Sequence, residues 1–545
     1  MERRFVCVLA LVVSACDAAP TFTTPIKHFV VTMMENRPPD HMLGCAARVG
    51  LLPGFDGPPE SIVKDPNDPS AGVLNLTCGS AELVCECCPE YDLFAPKFEP
   101  GVDASTYPYP PQSDDWSYLR GATEASTTTK LFSPEQMPVL TALATNFTVF
   151  NKFFSSVPAP SIPHHMFSQS GTSCGASDNV AYSQCHGVTP EVDDPEGPWG
   201  VRWPFVANRT FNLYPQRVIY DALREAGVDY KIYANSTVLQ HGHTTIGHYA
   251  DFEMGRMFYH RRNIVGMADF WEAARAGTLP NFAWVPPSNF DNNVFDAPMD
   301  DHPCHDVAKG ERFLKDVYEA LRASPAWNET LWLIFFDDAG SVYDHVVPPS
   351  EGVPAPEAPC DLVVGNAGCP NAFDFKRLGL RVTTLAVSPW LSRGVVQEPA
   401  GPTNTSQWEH SSIPATAKNL FNLTSFLTKR DAWAGSLTEL LTPEAEGPRN
   451  QGPAHLPDAP PPAAEAEDNA CADPDDALDR RRCKPPTRRQ ARALQLVGKV
   501  RNVPVPSLET HTFASAQKLL SAQWAEMMSM DFDALLSGDG AVLNA

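Results

Sequence analysis

The chain predicts an α/β fold, with a central, mostly parallel sheet flanked by helices and a smaller segment at its C-terminal end. Three observations carry this. Two short runs, residues 26–34 and 331–336, are rich in β-branched and aromatic residues without polar alternation, as strands buried on both faces are. Strand-like and helix-like patterns alternate from about residue 24 to 435. Each apolar run also stops on a polar pair, Glu35-Asn36 after the first and Asp337-Asp338 after the second. Ligands in open α/β sheets bind at the carboxyl ends of strands. Hard oxygen donors from two strands at that edge predict one divalent cation, its identity open, and metal-assisted chemistry on an anionic substrate.

The elements follow in order. Met1-Glu2-Arg3-Arg4 is a basic start, residues 5–15 are apolar, and small residues run through Ala18-Ala19, so residues 1–19 read as a signal peptide. Val13-Ser14-Ala15-Cys16 also resembles a bacterial lipoprotein box. The glycosylation acceptor triplets at Asn75, Asn146, Asn208, Asn235, Asn328, Asn404 and Asn422 favour a eukaryotic secretory protein instead. Of 14 cysteines, Cys7 and Cys16 fall in the signal region; the even remainder, from Cys45 to Cys483, reads as disulfides. Cys85-Glu86-Cys87-Cys88 lacks the paired frame of a zinc site. Residues 50–115 are rich in Pro, Gly and Asp and predict loops over the sheet edge.

Asp306 is placed to cap a helix whose apolar face is Phe313, Leu314, Val317, Tyr318 and Leu321. A turn at Ser324-Pro325 leads into the strand that ends on Asp337, and a further strand, 382–388, stops at Pro389-Trp390. The catalytic domain is therefore expected over 24–435. Residues 436–545 then supply a Pro/Ala/Glu-rich linker, basic clusters at Arg480-Arg481-Arg482 and Arg488-Arg489, and an amphipathic helix near 515–536. No later segment is apolar for the ~18 residues a spanning helix needs, so the mature chain is expected to be soluble. The formal charge of −24 argues against nucleic acid and anionic membranes as partners, while leaving room for a lipid met at a zwitterionic surface.

A nucleophile candidate, Ser161, stands in Pro158-Ala159-Pro160-Ser161-Ile162-Pro163-His164-His165. A serine hydroxyl needs a base or a metal beside it to attack at neutral pH, and a cation held by Glu35, Asn36, Asp337 and Asp338 would serve. His241, His243 and His248 have loose spacing and read as loop residues.

Several stretches resemble one family. Residues 35–44, from Glu35-Asn36-Arg37 to Met42-Leu43-Gly44, resemble the motif E-N-R-S-F-D-H-M-L-G. Asp300-Asp301-His302-Pro303 with Asp306-Val307 resembles D-D-H-P-x-x-D-V, and Asp337-Asp338-Ala339-Gly340-Ser341-Val342-Tyr343-Asp344-His345-Val346 resembles D-E-H-G-G-F-Y-D-H-V. Glu409-His410-Ser411-Ser412 and Thr428-Lys429-Arg430-Asp431-Ala432-Trp433 are similar to segments of plant-type non-specific phospholipase C. The family is the phosphoesterase group of bacterial phospholipases C and related acid phosphatases. The resemblance implies an alkaline-phosphatase-like core and a metal or phosphate site at Glu35, Asn36, Asp337 and Asp338. It implies Ser161 as nucleophile and metal neighbour, and Asp301, His302, His345 and His410 as residues facing the phosphate or leaving group.

The implied reaction is a two-step hydrolysis through a phosphoserine. Its implied partner is a phospholipid or another phosphate ester, met by transient membrane contact. Three departures stand out. The family's P-N-R is Pro163-His164-His165, its H-G-G is Ala339-Gly340-Ser341, and an upstream histidine has no counterpart in Gln112-Ser113-Asp114-Asp115-Trp116. A secreted phospholipase C is the first reading, a secreted acid phosphatase on soluble monoesters the second, and a non-catalytic lipid- or phosphate-binding relative the third.

Overall fold

The computed structural model describes residues 24–64, 70, 72–84, 127–175, 216–234, 260, 263–288, 298–303, 305–340, 342–356 and 374–462. The signal region, Cys85-Glu86-Cys87-Cys88, residues 112–116, His241, His243, His248 and the basic and amphipathic C-terminal stretches lie outside them.

In chain order the first half carries β1 (His28–Met34), α1 (Pro39–Arg48), β2 (Ser61–Val63), β3 (Val73–Asn75), β4 (Thr77–Cys78), β5 (Lys130–Leu131), α2 (Pro138–Asn146), β6 (Thr148–Phe150), β7 (Phe153–Phe154) and α3 (Ser161–Ser170). The second half carries α4 (Ile219–Glu225), β8 (Tyr230–Ala234), β9 (Ile264–Gly266), α5 (Met267–Ala276), β10 (Phe282–Trp284), α6 (Val307–Ala323), β11 (Thr330–Phe336), β12 (Thr384–Val387), β13 (Gly394–Val396), β14 (Trp408–Glu409), α7 (Ser412–Leu420) and α8 (Lys429–Trp433). Eight strands form the main sheet in the order β13-β6-β12-β11-β1-β10-β8-β9.

The sheet is mostly parallel, as the unbroken apolar runs predict. The exception is β12, the expected strand near 382–388, which runs antiparallel to both β11 and β6. β1 and β11 lie side by side in parallel register from His28 opposite Thr330 to Met34 opposite Phe336, and both are buried throughout. That pairing brings the two polar strand ends together.

Helix α6 begins as expected: the Asp306 carboxylate accepts the Ala308 N–H at 3.0 Å, and Phe313, Leu314, Val317, Tyr318 and Leu321 are buried against the sheet. Its Glu311 reaches across to accept the N–H groups of Val139 and Leu140 at 2.6 and 2.8 Å, filling the otherwise uncapped start of α2. A disulfide joins Cys45 on α1 to Cys78 on β4, and Cys174 is disulfide-bonded as well. Packing does not stop at 435: Leu437 and Leu456 join the core, and the Tyr318 hydroxyl donates to Pro453 O at 2.6 Å. Pro453 and Leu456 are thus laid against α6. No described helix is long and apolar enough to cross a membrane.

Candidate active site

The site grows from the carboxyl ends of β1 and β11. Asn36 turns left-handed directly after β1, at φ 59°, a conformation asparagine tolerates better than most residues. The turn aims its N–H at Asp337 Oδ1 (2.7 Å) and its side-chain amide at Asp338 Oδ1 (2.8 Å). Asp337 continues the strand ladder by donating its N–H to Met34 O at 3.1 Å. The Gly340 N–H then donates to Asp338 Oδ1 at 2.6 Å. Glycine is required there, because φ is +58° and a Cβ would sit 2.4 Å from Asn36 O.

Ser161 opens α3, after the extended Pro160. Its hydroxyl donates toward Asp338 Oδ2 at 3.2 Å and Asn36 Oδ1 at 3.4 Å. The start of a ten-residue helix offers backbone N–H groups and a favourable dipole to an incoming anion. One turn along, His165 Nε2 lies 2.9 Å from Glu35 Oε1 and 3.7 Å from Asp337 Oδ2. Ligand atoms of Glu35, His165 and Asp337 all fall within 4.8 Å of one another, and the three residues are buried.

Charge is badly matched in this group. Burial, then the neighbouring Asp337, pushes Glu35 up to about 8. Burial and the Asp337 charge also lift Asp338 well above the carboxylate range. Burial acts the same way on Asp337, but the adjacent His165 outweighs it and holds that carboxyl low. His165 is itself raised, since Glu35 and Asp337 overcome the burial that disfavours its charge. One imidazolium thus faces three acids, and Asp337 Oδ2 accepts no hydrogen bond among the described residues. Two carboxylate oxygens, one of them an unfilled acceptor, and the His165 ring, which must give up its Nε2 proton to become a ligand, fit a divalent cation.

The remaining predicted residues are placed differently. The 300–305 loop is tied to the site by Glu35 N–H donating to Asp300 O at 2.8 Å. From it His302 stands partly exposed, its Nδ1 2.8 Å from Pro303 O, and burial followed by the His305 charge lowers its pKa. Asp301 turns its carboxyl away, under the first turn of α6, where it fills the space a side chain at Gly310 would need. Burial raises that carboxyl well above its ordinary range, and neither oxygen has a hydrogen-bond partner among the described residues.

His345 belongs to a neighbouring network. Its Nδ1 is 2.8 Å from Asp40 Oδ2 and its Nε2 3.2 Å from Asp56 Oδ1. His410 is fully buried, with Nε2 on Phe336 O at 3.1 Å and its ring against His164. The structure therefore brings together Glu35, Asn36, Ser161, Asp337 and Asp338. It places His302 at the rim, His410 beneath the end of β11, and Asp301 and His345 in adjoining networks.

Two buried residues escaped sequence reasoning. His165 was legible only as a substitute for a family arginine, although its position four residues after Ser161 puts both on one helical face. Arg381 has no motif. It is fully buried and binds Asp344 through Nε (2.9 Å) and Nη2 (3.0 Å), and Asp40 through Nη2 (2.8 Å). Asp40 follows the β1 turn and Asp344 follows the β11 turn, so this cation joins the two halves of the site.

Comparisons with known proteins give the chain a family. The Phosphoesterase family profile matches residues 26–424. Non-specific phospholipase C1 of Arabidopsis thaliana is 36% identical over 80% of this chain and 74% of its own length. Non-specific phospholipase C6 of the same organism is 35% identical over 82% and 78%. Phospholipase C B of Mycobacterium tuberculosis (strain ATCC 25618 / H37Rv) is 25% identical over 77% and 78%. Among solved structures, a protein in the alkaline phosphatase superfamily from Vibrio parahaemolyticus aligns with 56% of this chain and 64% of its own, at 13% identity and TM-score 0.31.

Proposed function

Because the chain belongs to the Phosphoesterase family, and is thereby a phospholipase C-like hydrolase of phosphoric esters, we propose that it cleaves the glycerol–phosphate ester of glycerophospholipids. The products are diacylglycerol and a phosphorylated head group, and the route is a phosphoserine on Ser161. The observation that carries the reading is the Ser161 hydroxyl, set at a helix start and directed at Asp338 Oδ2 at 3.2 Å.

In the first step Ser161 Oγ forms the bond to phosphorus and passes its proton toward Asp338, while the phosphorus–glycerol oxygen bond breaks. The anionic phosphodiester beside His302 raises the pKa that burial lowers in the free site, and the imidazolium so formed protonates the departing glycerol oxygen. Water then gives a proton to His302 and attacks phosphorus, the serine–phosphorus bond breaks, and Ser161 Oγ recovers its proton from Asp338. The α3 start holds the phosphoryl oxygens in line throughout. Glu35, His165 and Asp337 would hold one divalent cation, which when bound stabilises negative charge as a Lewis acid.

Charge favours a diester over a monoester. The site already concentrates the acids Glu35, Asp337 and Asp338, and a phosphodiester brings one negative charge where a monoester dianion brings two. The Asp337-Asp338 pair is the feature that favours the second reading, an acid phosphatase on soluble monoesters. The signal-like start and the acceptor asparagines support entry into the secretory pathway and export. Asn75, Asn328, Asn404 and Asn422 are exposed, Asn146 is half-buried, and Asn208 and Asn235 lie outside the described residues.

The test uses secreted protein and Ser161→Ala on phosphatidylcholine vesicles with divalent metals supplied. Wild type should release diacylglycerol and phosphocholine, and the variant should be slower by about 10³-fold or more. Phosphate released from a small monoester, with no lipid product, would move the reading to the phosphatase.

A further inference from the structure

We propose that Arg430, with Thr428 and Glu409, is a positioning device for the nucleophile helix: it holds the chain at Ser156 before α3 and at Gly171 after it, and so fixes Ser161 against Asp338. The inference deepens the proposed phosphoesterase reading and rests on it.

The device comes from a segment the reaction itself does not use. α8 is a five-residue helix, about 260 residues after α3 in sequence. Thr428, its N-cap, accepts the N–H of Arg430 at 3.0 Å, and Asp431 returns the favour by accepting the Thr428 N–H at 2.6 Å. This rigid cap grips the far end of α3, where the Thr428 hydroxyl donates to Gly171 O at 3.0 Å.

Arg430 runs back along the same helix. It is fully buried, and its guanidinium lies over the Phe167 ring of α3 at 5.2 Å to the centroid. Nη1 donates to Ser156 O at 2.8 Å, Nε to Pro354 O at 2.8 Å, and Nη2 to Phe375 O. Ser156 begins the extended, proline-rich approach to Ser161. Its hydroxyl is held from the other side, donating to Glu409 Oε2, while Glu409 also accepts the Ser411 N–H at 3.0 Å.

The approach strand is therefore held at one residue by two buried groups of opposite charge. A guanidinium satisfied by three carbonyls from three separate loops is a geometric fixture, since its planar fork sets all three directions at once. Structural neutralisation alone would need only a carboxylate in contact, and Arg430 makes its bonds to carbonyls. The consequence falls on the nucleophile: Ser161 sits between the two gripped points, five residues after Ser156 and ten before Gly171.

The experiment compares wild type, Arg430→Lys and Ser156→Ala by steady-state hydrolysis of phosphatidylcholine vesicles, with hydrogen–deuterium exchange on the same samples. Lysine keeps the charge and loses the fork. Folded Arg430→Lys should lose about 10- to 100-fold in kcat with KM within about twofold, the range a displacement near 1 Å produces. Amides of residues 164–171 should exchange faster, while those of β1 and β11 keep their rates. Wild-type kcat in folded Arg430→Lys, at whatever melting temperature, overturns the proposal, as does a change confined to KM.

If Arg430→Lys does not fold, Ser156→Ala decides. It keeps Arg430 and removes only the hydroxyl held by Glu409; a kcat lowered about 3- to 10-fold supports the device, and an unchanged kcat overturns it. If wild type itself hydrolyses neither vesicles nor a monoester, the functional reading fails. Exchange alone then judges the device: faster exchange confined to α3 supports it, and unaltered α3 in either variant overturns it.

Discussion

Replacing Arg381 with methionine should cost about 3–5 kcal/mol of stability at pH 7.5, the range for leaving buried charge without its partner. The structure says why the upper part applies. Arg381, Asp40 and Asp344 are all buried, and the guanidinium makes three bonds to the carboxylates and one each to Asp56 O (3.1 Å) and Asn151 O (3.0 Å), with His345 Nδ1 at 3.4 Å besides. With arginine the trio carries a net charge of −1; with methionine it carries −2 in the same dry space.

That penalty has an escape route. Burial already pushes Asp344 up to about 6, even against Arg381, so without the cation it will take a proton more readily still. The loss should thus be smaller at pH 5 than at pH 7.5. Asp344→Asn added to Arg381→Met should recover at least about 1 kcal/mol, since it removes one of the two stranded charges. Urea unfolding followed by tryptophan fluorescence, on the single and double variants at both pH values, measures all three quantities. A loss under about 1 kcal/mol at pH 7.5, or no recovery in the double variant, would refute the reasoning.

Three further outcomes are expected. In His345, burial lowers the pKa but the hydrogen bond and charge of Asp40 outweigh it, so the folded value is raised. Its contribution is then full below the ordinary 6.5 and lost as pH climbs through the raised value. Unfolding midpoints should fall from pH 6 to pH 9 in wild type and fall less in His345→Asn; equal slopes would sink the idea. Gly340→Ala, which forces a Cβ to 2.4 Å from Asn36 O at positive φ, should lose about 1–3 kcal/mol in thermal unfolding and at least about tenfold in vesicle hydrolysis. Wild type should gain melting temperature with Mg²⁺, Ca²⁺, Mn²⁺ or Zn²⁺, about 2.7 kcal/mol at a hundredfold excess over Kd, and Asp337→Asn should abolish that gain. A metal response retained in full would remove Asp337 from the ligand set.

Legibility followed the range of the interactions. β1 and β11 could be read because unbroken apolar runs report burial directly, and their polar ends reported the crevice. The α6 cap at Asp306 is a three-residue pattern and was equally plain. Motif positions, by contrast, do not say where a side chain points. Asp301 and His302 are neighbours, yet the left-handed φ of 71° at Asp301 sends its carboxyl under α6 while His302 stays at the rim. Arg381 and Arg430 were invisible because their partners come from distant segments and, for Arg430, are backbone carbonyls that no residue type announces. Packing just beyond 435 was not legible for a related reason: Pro453 and Leu456 meet a surface made by α6, through Tyr318 and Glu319.

The pairing of β1 with β11 also sets a schedule. His28 meets Thr330 only after about 300 more residues have been made, and at roughly 5–20 residues per second the first strand waits on the order of 15–60 s for its neighbour. Its other neighbour, β10, is made about 250 residues after β1, so until then this seven-residue apolar ribbon has neither of its sheet partners. The Cys45–Cys78 bridge, spanning 33 residues, is local enough to close early and to hold α1 in place through the delay. Ser161 is synthesised in the meantime without Asp338 beside it or α8 behind it. The newborn chain thus carries Ser161 ahead of the rest of its site, and the proposed chemistry becomes possible only once Asp338 and then α8 have been made.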